Sequence, residues 1–189
     1  ISRLSAWALL EARCAKENTA FKLLEKKAAT VGLKAGYLFK LAFVQQARGK
    51  WRTAVKSIEK LLLRDPEDVE ALNFVGYTLA EKGFRLQKAR KRLRLALKIS
   101  PLDPYIMDSL AVACLKTGQT TRAGSLLSRA RRILPGEPEI LFHSGLVFEK
   151  SSHAKRAARL YLKALAVKPL PKLRVRIKRR LRVLQKKLR

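Results

Sequence analysis

Few side chains in this 189-residue sequence have a type and spacing suited to bond-making chemistry. His143 and His153 are its only histidines, ten residues apart, and neither has the Cys or His neighbours that a metal site needs at short spacing. His143 falls in an apolar run and reads as a satisfied structural histidine, whereas His153 lies beside a turn and reads as solvated. Ser109 and the Ser144-Gly145 pair lack the strand–turn–helix setting of a nucleophile elbow. The run from Gly32 to Gly36 is too short and wrongly flanked to cradle a phosphate. Cys114 sits among apolar residues and reads as a buried, inert thiol, and with Cys14 it makes neither a disulfide framework nor an all-cysteine zinc site. The expectation is a non-enzymatic chain with no catalytic residue, no metal site, no cofactor and no small-molecule substrate.

What the sequence has in abundance is charge. It carries 43 Lys and Arg against 14 Asp and Glu, a formal net charge of +29. An excess of this size points first to an anionic partner, either nucleic acid or an anionic membrane surface. Hydrophobic residues make up 48%, enough for an ordered core, so wholesale disorder is excluded. Apolar-rich runs such as 140–148 fall far short of the roughly 18 residues that a membrane span requires. The sequence opens at Ile1, so any targeting segment is expected to lie outside it.

The elements that position these charges announce themselves through proline. Pro66, Pro101, Pro135 and Pro169 recur at intervals of 35, 34 and 34 residues, each closing an Ala/Leu-rich segment. Other columns recur in phase. Gly49, Gly83, Gly118 and Ser152 mark a turn inside each unit. Ala42, Gly76, Ala111 and Gly145 form a small column in the first helix, and Ala54, Ala89, Ala123 and Ala157 another at the start of the second. A third reads Leu61, Ala96, Ala130 and Ala164. Large residues fill two more columns: Leu38, Leu72, Met107 and Leu141, then Ile58, Leu93, Leu127 and Tyr161. Each unit is therefore a helix, a turn and an antiparallel helix, with small residues permitting close approach and large ones filling the gaps beside them. Proline ends each second helix because it lacks an N–H, and Asp103-Pro104 and Glu137-Pro138 suit the opening of the next pair. Breaks at this period argue against a coiled coil.

These columns resemble the tetratricopeptide repeat: Leu141, Gly145, Phe148, Ala157, Tyr161, Ala164 and Pro169 reproduce its pattern in order. The resemblance implies an all-α fold, a right-handed α-α superhelix of about five helix-turn-helix repeats with a basic C-terminal capping helix. Four repeats are expected over 35–68, 69–103, 104–137 and 138–171, the second with one extra residue near Arg85. A degenerate pair is expected over 1–34, where Leu4, Trp7, Ala8, Ala20 and Leu24 match but Gly32 replaces proline. A narrower resemblance follows from ALNFVGYTLAEKG and DPYIMDSLAVACLKTG, which are similar to the bacterial multi-repeat envelope lipoproteins that act as adaptors for periplasmic proteases and assembly machinery. The heavy substitution of acids by Lys and Arg departs from that group, and the compartment stays open between bacterial envelope and cytoplasm.

In tetratricopeptide arrays the first helices line the concave surface and the second helices the convex one. Carried onto this chain, the resemblance places Phe39, Phe43, Gln46, Asn73, Tyr77, Tyr105, Asp108, Val112, Phe142, Leu146 and Glu149 along the groove. Aromatics there would anchor a peptide, Asn73 and Gln46 would hydrogen-bond its backbone, and Asp108, Glu70 and Glu81 would favour a cationic segment. The second helices of the four clear repeats hold Glu59 as their only acid before the closing loops, so the convex face should be cationic. Lys88, Arg90, Lys91, Arg92 and Arg94 on that face, with Arg176, Arg179 and Arg180 in the tail, are the candidates for an anionic partner.

The tail, 172–189, reads as a basic amphipathic helix with Leu173, Ile177, Leu181, Leu184 and Leu188 in one stripe. It suits a solvating cap, since the stripe continues the array's periodicity, and alternatively a helix for nucleic acid or a membrane surface. Two functions stand side by side. The first is a scaffold or adaptor that holds a peptide or protein in its groove. The second is a nucleic-acid-associated or anionic-surface-binding repeat protein acting through convex and C-terminal Lys and Arg. The segment 87–99 has no aromatic residue to interleave with its cations, which favours the first. The groove could also receive a basic segment such as 172–189 from another copy, giving a head-to-tail homo-oligomer.

Overall fold

The computed structural model describes residues 35–188, and their regular structure is helical throughout. Four antiparallel pairs follow one another: α1 (Ala35–Ala47) with α2 (Trp51–Leu62), α3 (Val69–Glu81) with α4 (Leu86–Ile99), α5 (Pro104–Lys116) with α6 (Thr120–Ile133), and α7 (Pro138–Lys150) with α8 (Ala154–Ala166). A single longer helix, α9 (Pro171–Leu188), closes the described chain. The pairs stack into a right-handed α-α superhelix. The degenerate pair expected over 1–34, with Cys14, lies outside the described residues.

Helix starts follow local chemistry. The Asp68 carboxylate accepts from the Ala71 N–H at 2.8 Å, and Asp103 accepts from Tyr105 and Ile106 at 2.8 and 3.1 Å, satisfying donors that a first helical turn leaves free. Pro104 and Pro138 occupy the first helical position of α5 and α7, where the missing N–H is no loss. Glu137 precedes α7 without capping it by its side chain.

The turn column has one geometry in all four pairs. Gly49, Gly83, Gly118 and Ser152 adopt φ of +77°, +65°, +77° and +62°. Beyond each, a backbone N–H reaches back over one helical turn: Lys50 to Gln45, Phe84 to Leu79, Gln119 to Cys114 and His153 to Phe148, at 2.8–2.9 Å. This is the Schellman closure, and it demands a left-handed residue. Ser152 adopts it without glycine's freedom. The extra residue of the second repeat is taken up at Arg85, also left-handed at φ +48°.

The three small columns and both large ones are buried. Their alanines are fully inaccessible, and Ile58, Leu93, Met107 and Tyr161 are equally enclosed. At Gly76 and Gly145 the partner helix comes so near that a Cβ would strike the Leu93 side chain, at 2.5 Å, and the Tyr161 ring. The apolar stripe of α9 packs on the last pair, burying Leu173, Ile177 and Leu184 against Leu141, Phe142, Leu160 and Tyr161.

Two substitutions test this packing by denaturant unfolding. Gly145→Ala is expected to lower stability by about 1–3 kcal/mol, because the Tyr161 ring cannot yield without losing its own site. Ser152→Gly should raise it by about 0.5–1 kcal/mol, since relief of the left-handed conformation outweighs glycine's greater unfolded freedom.

Candidate partner-binding groove

The inner wall follows from how the pairs meet. Each second helix packs on the first helix of the next pair, while α3, α5 and α7 also pack directly on one another. The more crowded side of a curved stack is the inside of its bend, so the first helices form the concave wall.

Along that wall Phe43, Gln46, Asn73, Tyr77, Tyr105, Leu146 and Glu149 are half-buried. Phe39, Val112 and Phe142, expected to offer open contact, are instead interior at 6, 7 and 2% exposure. Phe39 meets Phe74 edge-on at 6.2 Å between the first two repeats, and Phe142 lies 5.6 Å from the Tyr161 ring. The column fixes the direction of a side chain, and the next repeat then covers it. Gln46 is committed within the array, donating from Nε2 to the Thr78 hydroxyl at 2.9 Å. Asn73 differs: its Oδ1 is buried and has no hydrogen-bond donor among the described residues.

Asp108, expected as an open acid, is buried and faces His143, whose Nδ1 lies 2.8 and 2.9 Å from its two carboxylate oxygens. Burial alone would depress the imidazole, but the Asp108 charge and hydrogen bond, with Glu139 behind them, outweigh it and raise its pKa. Glu139 is itself raised, by burial first and then by the Asp108 and Glu137 charges, against His143 and Arg176. Glu137 is raised by burial too, although the Tyr105 hydroxyl donates to it at 3.3 Å. Tyr77 is held protonated by burial of its hydroxyl and by Glu139, Glu81 and Asp108. At the far end Glu149 accepts from the Tyr161 hydroxyl at 2.8 Å and from Arg180 at 3.2 Å. The concave wall of this cationic chain is thus crowded with carboxylates.

The cations assigned to an anionic partner divide. Lys91, Arg94 and Arg179 are exposed. Lys88 and Arg92 both reach back to Glu59 Oε1 of the preceding repeat, at 2.9 and 3.0 Å, and Arg90 donates to Gln119 at 3.0 Å. Arg176 and Arg180, expected with the outward cations, turn inward toward Glu81 and Glu149. At the turn edge the structure gathers a group that the sequence left dispersed: Trp51 and Phe84 meet edge-on at 5.6 Å, with Arg52 over Trp51 and Arg85 over Phe84 at 4.4 and 5.2 Å. Glu59, Gln119, Glu137, Glu139, His143 and Thr78 were not singled out as site residues. One signal would have found most of them: polar partners here sit 29–35 residues apart, about one repeat. Among the described residues no group of three or more His, Cys, Asp or Glu is arranged to hold a metal ion. No described helix is long and apolar enough to cross a membrane.

Comparison with known proteins agrees with this architecture. The family described as "Tetratricopeptide repeat" matches residues 39–104. A TPR repeat-containing protein of Pseudomonas aeruginosa is 30% identical over 108 residues, 57% of this chain and 18% of that protein. Interferon-induced protein with tetratricopeptide repeats 2 of Cricetulus griseus is 30% identical over 117 residues, 59% of this chain and 24% of its own length. The chain thus spans under a quarter of the length of these curated relatives. Among solved structures, a thermophilic TPR protein of Thermus thermophilus superposes with TM-score 0.74 at 22% identity, covering 94% of both chains. A chain of the APC/C hetero-tetramer Cut9-Hcn1 gives TM-score 0.82 at 17% identity, covering 96% of this chain and 35% of that one. MamA of Desulfovibrio magneticus gives 0.66 at 18%, covering 88% and 96%.

The raised histidine sets a pH dependence. A group whose folded pKa lies above its ordinary 6.5 stabilises the fold fully below that value and loses this contribution as pH rises through the folded pKa. The raised Glu137 and Glu139 act with the same sign, starting from their ordinary 4.5. Stability should therefore fall as pH is raised above 6.5. Asp108→Asn should cost about 3 kcal/mol at pH 6, less at pH 8, and flatten the histidine part of the profile. Urea titrations across this range provide the check.

Proposed function

We propose, from the premise that this chain is a tetratricopeptide repeat protein, that it is a scaffold holding a peptide or protein segment along its concave wall. Arrays of this fold generally mediate protein–protein interaction and carry no chemistry of their own. The observation that most favours the groove is Asn73. A buried acceptor without a donor costs about 1–3 kcal/mol, and rotation of the half-buried Asn73 side chain would offer it to an incoming backbone N–H. Half-buried Phe43, Tyr77, Tyr105 and Leu146, one from each of the four repeats, supply apolar contact along the same wall.

A second reading rests on the Trp51–Phe84 group, where rings and guanidiniums lie together at the edge of the exposed cationic wall. Such a group suits stacking against single-stranded bases, with phosphates on Lys91 and Arg94, a contact indifferent to sequence and steeply salt-dependent.

Pull-down at moderate salt after nuclease treatment separates the two. Asn73→Ala with Tyr77→Ala should weaken capture of the protein retained by the wild type by at least about tenfold, with helicity unchanged. Unchanged capture defeats the groove reading. For the second reading, Trp51→Ala with Phe84→Ala should weaken binding of a labelled oligouridylate by about tenfold, read by anisotropy.

A further inference from the structure

The terminal helix α9 does two things at once. Its apolar stripe seals the last pair through Leu173, Ile177 and Leu184. Its neighbouring arginines reach into the groove. Arg180 Nη1 lies 3.2 Å from Glu149 Oε1 of α7. The Arg176 guanidinium lies 4.8 Å from the centre of the Phe142 ring, and its Nη1 is 4.0 Å from Glu81 Oε1 of α3. Glu81 belongs to the second repeat and Phe142 to the fourth, so Arg176 bridges the concave wall across the third.

We infer that Arg176 and Arg180 of α9 are displaceable internal occupants of the groove, and that the partner segment the groove takes is an arginine-bearing one that puts guanidinium groups where they now lie. This rests on the concave wall being the binding surface. Three features carry it. The carboxylates are concentrated there in a chain of net charge +29, so a cationic ligand is drawn to this wall against the repulsion of the remainder. Of the acids, Asp108 is already engaged by His143, while Glu81 and Glu149 face the tail and remain open to exchange. Guanidinium suits this wall better than ammonium, because its flat cation can sit by the Phe142 ring, 4.8 Å from its centre, while one of its nitrogens faces a carboxylate.

The contacts are built to be released. The Arg176 and Arg180 side chains are 41 and 45% exposed, and exposed ion pairs of this kind are weak. Anchoring and occlusion reside on different residues, so the arginines can leave the groove while the leucine stripe keeps the array sealed.

The test uses the full chain and a fluorescein-labelled nona-arginine peptide followed by anisotropy, with nona-lysine and nona-glutamate as controls. Arg176→Ala with Arg180→Ala should raise affinity for nona-arginine about 3- to 10-fold, with smaller gains for nona-lysine and unchanged helicity. Adding Glu81→Gln and Glu149→Gln should abolish the gain. The inference is overturned if the arginine variant shows no gain, if the gain survives loss of both glutamates, or if nona-glutamate is the peptide that binds. Failure here with Asn73→Ala and Tyr77→Ala still abolishing partner capture would sink the exchange and leave the groove. The reverse pattern would sink the groove reading on its own test.

Discussion

An antiparallel helix pair of this size cannot cover its own apolar face, and everything else in the molecule depends on the next pair covering it. The alanine columns at zero exposure are where this happens, because only a side chain no larger than a methyl group lets neighbouring backbones close up. Where even a methyl is too large, at Gly76 and Gly145, a Leu93 or Tyr161 side chain takes its space. The stacking step also sets polar geometry. A residue and another roughly one period later become neighbours, so Asp108 faces His143, Tyr105 reaches Glu137, and Glu59 clasps Lys88 and Arg92. Repetition in the sequence becomes contact in space.

That step explains why acid and base part company. On the second helices Lys91 and Arg94 are exposed, where water screens their repulsion, while Lys88 and Arg92 share Glu59. First helices are drawn together, and carboxylates on them lose solvent and feel one another, which is why Glu137 and Glu139 hold their protons more tightly. Such crowding needs compensation, and His143, Arg176 and Arg180 supply it from neighbouring elements.

The fold was legible because its determinants are periodic: the small and large columns, the Gly/Ser turn position and the helix openings at Asp103-Pro104 and Glu137-Pro138 each repeat or follow local backbone rules. The groove was only partly so. A column gives the angle at which Phe39, Val112 or Phe142 leaves its helix, yet the following repeat determines whether that angle opens on water or on another ring. Asp108 and His143 were visible as residues, but their union depends on the registry of two first helices. The inward turn of Arg176 and Arg180 was hidden for a further reason. Amphipathic spacing separates an apolar stripe from a charged remainder, and it does not say which flank of that remainder faces the concavity.

A stack whose units interact only with their neighbours is, in polymer terms, a chain that can grow from any open end. The last described pair has such a face, and α9 covers it: Leu173, Ile177 and Leu184 pack where it would otherwise lie bare. Lys172, Arg174, Lys178 and Arg179 of the same helix stay exposed to water. The helix therefore acts as a lid on the last described pair: lifting it would bare apolar surface that only another helix could cover, so its docking and the stability of that pair rise and fall together.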